Sequence, residues 1–312
     1  MSNASVCLYS SYVAGNDIPY YVRFYLEQLK PHFTRIIYIT NERKLNSDAL
    51  EFLSKNGIES MTVANEGYDF GMWHKALNKL QSEQSTSLSE IYEYIGLIND
   101  SCVLFKDLHS DFEKMNNSLA GYSGMIISER YATHIQSFFL IIRGKAIDVM
   151  TNYFNMHGLV ADYREVIQTY EIGLTQEMIR NDVSILSLYN NANRAHEKNP
   201  SFALVKELLE EGMPLIKKKI VFRNYRGLEY YWVVRMNFDT DYRKYVKLTQ
   251  KKYGTGIIDF NQVMRDAPRQ NHIDLFWFAV AKTMANIVRA IPGSRWLFHQ
   301  SVKFYKKYIR KQ

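Results

Sequence analysis

Two short segments of this sequence concentrate residue types suited to an anionic ligand. The first runs Asn65-Glu66-Gly67-Tyr68-Asp69-Phe70-Gly71-Met72-Trp73-His74-Lys75. Glycine lets the chain turn tightly and lets backbone approach a ligand closely. A helix starting near Asp69 would aim free N–H groups at a phosphate, with His74 and Lys75 about one turn in. Asn65, Gly67, Asp69 and Gly71 are therefore candidate ligand contacts; the alternative is a plain turn with Asp69 as a helix N-cap. The second segment, Asn99-Asp100-Ser101, sets a carboxylate between an amide and a hydroxyl. Hard oxygens of this kind suit Mg²⁺ or Mn²⁺, which in turn would hold a diphosphate, and this makes Asp100 the candidate metal ligand. The alternative is again a capped turn. Asp69-Phe70-Gly71 also spells a protein-kinase triplet, but the glycine-rich loop, strand lysine and His-Arg-Asp loop that must precede it are absent.

The elements that position these segments follow from hydrophobic periodicity. Val6 to Ser10, Arg35 to Thr40, Ile58 to Val63 and Tyr92 to Ile98 read as short, mostly apolar strands of the kind buried on both faces of a parallel sheet. Between them, Ile18, Tyr21, Val22, Tyr25 and Leu29 recur at helical spacing. Ser47 to Lys55 is a helix stopped by Asn56-Gly57, and another helix covers about Asp69 to Gln81. This alternation predicts an α/β doubly wound fold. Further strands are expected at Gly121 to Ile127, Ser137 to Ile142 and Ile185 to Tyr189, and helices at Lys145 to Asn155 and Tyr163 to Asn181. In such a sheet ligands bind beyond the carboxyl ends of the strands, where both polar segments fall.

The chain has 312 residues, 46% hydrophobic and 23% charged, enough for one substantial domain and a smaller appendage. Its only cysteines, Cys7 and Cys102, lie in or beside predicted strands at neither metal nor disulfide spacing, and are expected to be reduced core residues. The first twelve residues lack the basic and apolar regions of a signal peptide, so a cytoplasmic location is expected. No apolar run reaches the 18 residues a membrane span requires. The net charge of +7 is a property of the tail. Ala281 to Gln312 holds eight basic residues and no acidic one, which leaves the other 280 with a net charge of −1.

The ordered series Asn65 to Gly71 (Asn-x-Gly-x-Asp-Phe-Gly), Asn99 to Ser101, His134 to Phe139 (His-x-Gln-Ser-x-Phe), Glu171 to Thr175 (Glu-x-Gly-Leu-Thr), Asn199 to Ser201 and Gly212 to Lys218 (Gly-Met-Pro-Leu-Ile-Lys-Lys) resembles the rhamnan synthesis protein F family, from about Tyr9 to Asn224. The resemblance implies a GT-A-like (Rossmann-like), mostly parallel sheet flanked by helices. It also implies glycosyl transfer from a nucleotide-sugar donor, with rhamnose a candidate sugar, to a cell-surface polysaccharide precursor. Such enzymes commonly hold the donor diphosphate through a metal bound by Asp-x-Asp, a place taken here by Asn99-Asp100-Ser101 with one carboxylate. Either Asp100 with water holds Mg²⁺ or Mn²⁺, or basic side chains neutralise the diphosphate without it. An inverting transfer also needs a base for the acceptor hydroxyl. Glu171 occupies a comparable place, its alternative being a solvated helix residue. His134, Gln136 and Ser137 are candidates to line a sugar, against a structural role for a lone histidine. Lys217 and Lys218, with Lys219, are candidates for the phosphates, against a solvated lysine run. A non-catalytic carbohydrate-binding or scaffold protein with a degenerate site is the competing reading.

Residues 1–225 are accordingly expected to form the catalytic domain, and 226–312 a helical, basic and aromatic extension. Leu275 to Ile291 is amphipathic in composition, and after Pro292-Gly293 the aromatics Trp296, Phe298, Phe304, Tyr305 and Tyr308 alternate with lysine and arginine. That pattern fits a helix lying in the headgroups of an anionic leaflet, peripheral on the inner face of the membrane, where a lipid-linked saccharide acceptor is presented. The alternative is packing of these aromatics on the catalytic domain. Nucleic acid is not an expected partner, because no recognition motif accompanies the charge.

Overall fold

The computed structural model describes residues 4–12, 15–41, 44–64, 66–189 and 199–223. The expected helical extension, 226–312, lies outside the described residues. The first half alternates strand and helix, as its apolar runs predict: β1 (Ser5–Ser11), α1 (Tyr20–Leu29), β2 (Arg35–Asn41), α2 (Ser47–Lys55), β3 (Glu59–Val63), α3 (Tyr68–Ser82), the single turn α4 (Leu88–Ile91) and β4 (Tyr94–Asn99). All seven residues of β1 are buried, and α1 turns Tyr21, Val22, Tyr25, Leu26 and Leu29 inward. α2 begins where Asn46 accepts the N–H of Ala49 at 2.8 Å, and it ends at Asn56, followed by Gly57 at φ 65°.

The remaining elements are β5 (Cys102–Leu104), α5 (His109–Ser118), β6 (Tyr122–Ser128), β7 (His134–Ile135), β8 (Phe139–Arg143), α6 (Lys145–His157), α7 (Tyr163–Val166), α8 (Gly173–Arg180), β9 (Ile185–Tyr189), α9 (Pro200–Ala203), α10 (Val205–Glu210), β10 (Leu215–Lys217) and α11 (Lys218–Arg223). The main sheet has eight strands in the order β3-β2-β1-β4-β8-β6-β7, with β9 also on β6. β3, β2, β1 and β4 are mutually parallel; β8 runs against both β4 and β6, and β9 is parallel to β6. Among the described residues, six strands thus share one direction, and only β7 and β8 oppose it. β5 and β10 form a separate antiparallel pair.

One face of the sheet packs Val6, Leu8, Ile95 and Leu97 against Trp73 and Leu77 of α3, Ile147 and Phe154 of α6, and Leu174 of α8. The indole N–H of Trp73 donates to the carbonyl of Leu8 at 3.0 Å, which fixes α3 to β1. On β1, Tyr9 alternates to the opposite side, in edge contact with Tyr25 of α1 and stacked on Tyr38 of β2. Cys7 and Cys102 are free and buried, as expected.

Two local departures from the sequence reading bear on the site. The helix expected over 163–181 has a π-helical middle, Ile167–Ile172, between α7 and α8. The hydroxyl of Tyr153 donates to the carbonyl of Thr169 at 2.6 Å, inside the π-helical stretch. The strand expected at Ser137 to Ile142 is β8, and a two-residue strand the sequence did not signal, β7, precedes it across a turn in which Gln136 N–H donates to the carbonyl of Ile126 and Asn99 N–H to that of Phe138.

Candidate active site at the carboxyl ends of β1 and β4

From β1 the chain steps outward to β2 and β3, then returns to lay β4 on the other side of β1. The crevice between the carboxyl ends of β1 and β4 is thus a topological switch point, the place where open α/β sheets bind ligands. Ser10 is in register with Asn99 across it, and the N–H of Asp100 donates to the carbonyl of Ser10 at 3.1 Å. Asp100 is 4% exposed, its Oδ2 accepting the Ser11 hydroxyl at 3.2 Å.

Asp69 is not the helix cap. Gly67, at φ 73°, holds the N-cap position with no side-chain cap bond, Tyr68 follows at φ 56°, and Asp69 is the second helical residue. These left-handed residues start α3 one position earlier than the sequence suggests. The Asp69 carboxylate reaches the strand ends, with Oδ1 accepting the Ser10 hydroxyl at 3.2 Å and Oδ2 the Asn99 amide at 2.9 Å. A second carboxylate therefore stands beside Asp100, supplied by α3. Asn99 also forms the expected capped turn, its Oδ1 accepting the N–H of Ser101 at 3.0 Å.

The close approach that the glycines allow is made by the chain itself. A Cβ on Gly71 would lie 1.8 Å from the carbonyl oxygen of Glu66, and one on Gly67 would lie 3.1 Å from the Cα of Gly71. Lys75 secures the same turn through the Ala64 carbonyl at 3.2 Å and the Glu66 carboxylate at 2.6 Å. His74 is buried in the core beside Phe154, and burial pushes its pKa down. Asn65 lies outside the described residues.

Two lysines complete the crevice. β10 pairs antiparallel with β5, setting Lys217 against Cys102, and the N–H of Lys218 donates to the carbonyl of Ser101 at 2.8 Å. The Lys217 ammonium donates to Ser101 Oγ at 3.1 Å and lies 4.2 Å from the centroid of the Phe138 ring. Lys218 Nζ is 3.0 Å from Asp100 Oδ2. Of the lysine run, only Lys219 is an exposed surface residue.

The two acids feel each other. Asp69 is pushed up to about 6, first by burial of its carboxyl and then by the charge of Asp100, against the pull of Lys218, the Ser10 hydroxyl and Lys217. Part of the Asp69 residue keeps contact with solvent, so the burial concerns its carboxyl end. Asp100 is raised too, by burial, with Lys218 opposing the shift most strongly. Among the described residues no group of three or more His, Cys, Asp or Glu side chains could hold a metal ion.

The 134–138 segment reaches this edge through Phe138, whose carbonyl accepts the N–H of Asn99 at 3.3 Å. Helix 163–180 grips it from behind. Thr175 Oγ1 accepts the N–H of Ile135 at 3.2 Å, Glu171 Oε1 faces the N–H of Ser137 at 3.5 Å, and Gln176 donates to the carbonyl of Thr133 at 2.6 Å. The four-residue spacing of Glu171 and Thr175 puts both on one helix face. His134 is buried and donates through Nδ1 to the carbonyl of Ala132 at 2.8 Å, a structural bond. Gln136, 2% exposed, donates to Asn199 Oδ1 at 2.8 Å, while its Oε1 has no partner among the described residues. Thus Asp69, Asn99, Asp100, Ser101, Lys217 and Lys218 converge, with Ser137 and Glu171 on the adjoining wall. Ser10 and Ser11 were not anticipated; two hydroxyls closing a buried strand were the available signal.

The comparisons with known proteins are of two kinds. Among solved structures, the glycosyltransferase GlyE of Streptococcus pneumoniae TIGR4 is 10% identical, with 81% of this chain and 64% of that one covered and a TM-score of 0.39. A cytidylyltransferase from Leptospira borgpetersenii is 13% identical over 62% and 79% of the two chains, at a TM-score of 0.37. A CMP:2-keto-3-deoxy-manno-octonic acid synthetase complexed with CTP is 9% identical over 61% and 90%, at 0.36. Similarities this distant say nothing of activity. No curated protein matches the sequence. The family described as rhamnan synthesis protein F matches residues 36–274, a span that runs past residue 225, and the chain belongs to that family.

Proposed function

We propose that this protein is a glycosyltransferase that moves a sugar, with rhamnose the first candidate, from a nucleotide-sugar donor onto a cell-surface polysaccharide precursor. The observation that carries the reading is the meeting of two acids and two lysines at the switch point of the sheet, in a chain of the rhamnan synthesis protein F family. The donor diphosphate lies against Lys217, Lys218 and the Asn99–Ser101 turn. On the adjoining wall Glu171 takes the proton of the acceptor hydroxyl. The acceptor oxygen then bonds to the anomeric carbon as the bond to the diphosphate oxygen breaks, and the nucleoside diphosphate leaves with the electron pair. Attack from the face opposite the leaving group inverts the anomeric centre. The π-helical stretch that carries Glu171 supports the assignment, because such stretches frequently occur at functional sites.

The acceptor is lipid-linked in this reading, and the basic, aromatic tail holds the enzyme on the anionic inner leaflet. Among the described residues no helix is long and apolar enough to cross a membrane. A degenerate, non-catalytic site would follow from a single carboxylate, but Asp69 stands as the second. The test is to incubate the full chain with a panel of nucleotide-sugars. One of them should raise Tm, since a ligand that binds only the native state must stabilise it, and the same one should be consumed when a saccharide acceptor is added. A panel in which none shifts Tm and none is consumed refutes the reading.

A further inference from the structure

We propose that Lys217 and Lys218, brought to the crevice by β10, are the counter-ions of the donor's diphosphate, and that no divalent cation at Asp100 is needed for its binding. The inference rests on the nucleotide-sugar reading above. The acids at the crevice are already committed to protein donors. Both oxygens of Asp69 accept hydrogen bonds, from Ser10 and Asn99, and Oδ2 of Asp100 accepts from Ser11 and from the ammonium of Lys218. Besides its waters and the diphosphate oxygens, a hard divalent ion needs at least one carboxylate with a lone pair turned toward it. At Asp100 it would also sit beside an ammonium 3.0 Å from the same carboxylate oxygen, and would be repelled by it. The donor set therefore does not suit a resident Mg²⁺ or Mn²⁺.

The lysines, by contrast, are placed for an anion. An ammonium has three donors; Lys218 spends one on Asp100 and Lys217 one on Ser101, and the Lys218 side chain keeps 30% of its surface in solvent. Their backbone is fixed by the β5–β10 pairing and by the bond from Lys218 N–H to Ser101. Little ordering entropy then remains to be lost when a ligand binds. Asp100 becomes a positioning residue that aims Lys218.

The experiment measures binding of UDP, GDP and dTDP to the full chain by titration calorimetry, once with EDTA and once with Mg²⁺. At least one should bind in EDTA with an affinity within about threefold of that in Mg²⁺. Lys218→Met and Lys217→Met should each weaken it by roughly tenfold or more, and Lys218→Arg should restore part of the loss. Lys217→Met breaks no ion pair with Asp100, so it still tests the proposal if Lys218→Met fails to fold. Binding that vanishes in EDTA and returns with Mg²⁺, or lysine variants that bind like wild type, would overturn the inference and leave the glycosyltransferase reading standing. Failure of every nucleoside diphosphate to bind under both conditions would sink both together.

Discussion

Replacing Asp69 by Asn should make the protein more stable at neutral and alkaline pH. The carboxyl is pushed from an ordinary 3.8 up to about 6 by burial and by Asp100. A tenfold change in proton affinity corresponds to ~1.4 kcal/mol, so holding this group ionised costs the fold at most about 3 kcal/mol. Residual solvent contact screens this cost, which argues for about 1–3 kcal/mol, equivalent to a Tm rise of roughly 2–10 °C. The sign follows from linkage. A folded-state pKa above the unfolded one means the native protein binds this proton more tightly. The group's contribution is then fully favourable below about pH 4 and is lost as pH rises through about 6. Asn has no such proton and fits the same bonds, its Oδ1 accepting from Asn99 and its Nδ2 donating to the Ser10 hydroxyl, which can also accept. Denaturant unfolding of both proteins at a series of pH values from 5 to 8 should show a gap in favour of the variant that widens with pH and levels off above about 7. A gap independent of pH, or a variant less stable than wild type at pH 8, would refute the electrostatic account of this site.

Asp100→Asn should greatly lower transfer, because the amide no longer draws the Lys218 ammonium to its place, and steady-state kinetics with the folded variant check it. Glu171→Gln should lower kcat by roughly 10²-fold or more with donor affinity kept, the signature of a lost general base; collapsed donor affinity would make Glu171 a binding residue. Gly71→Ala should fold poorly or lose more than about 3 kcal/mol in denaturant unfolding, since its Cβ would meet the backbone oxygen of Glu66 at 1.8 Å. Truncation after Pro292 should leave a folded protein that binds donor but no longer sediments with anionic liposomes. Unchanged liposome binding would remove the tail from the membrane, and unfolding would place its aromatics in the core.

The parallel half of the sheet was legible because strands buried on both faces must be apolar runs, as Val6 to Ser10 and Arg35 to Thr40 are. α2 was legible to the residue because its stop at Asn56-Gly57 is local chemistry. Lys217 and Lys218 were named as candidates, but their place beside Asp100 and Ser101 was not legible. β5 and β10 have three residues each, too few to show a period, and each is held to the other by pairing between distant parts of the chain. Nor does helical periodicity reveal the π-helical turn, where a hydroxyl from α6 bonds a backbone carbonyl. Asp69 was found as a candidate contact, but its reach to the strand ends from the second position of α3 was not. Its direction depends on the left-handed backbone of Gly67 and Tyr68, and for tyrosine sequence gives little warning of that conformation.

These contacts also explain why the strand ends in Asn-Asp-Ser and not in Asp-x-Asp. The triplet ties two segments to the end of β4, α3 through Asn99 and the Lys217–Lys218 corner through Asp100 and Ser101. Asn99 donates to Asp69 and so ties β4 to α3; Asp100 takes the ammonium of Lys218; and Ser101 receives the Lys217 ammonium on its hydroxyl and the Lys218 N–H on its carbonyl. The amide at position 99 is oriented by its own turn, because Oδ1 is occupied by the N–H of Ser101 and Nδ2 alone is left to face α3. An aspartate there would set a second carboxylate at the present 2.9 Å separation from Asp69. Like charges so close cannot both remain ionised, so one would take up a proton. The amide at position 99 is thus what lets Asp69 approach the strand ends, where α3 supplies a second carboxylate beside Asp100.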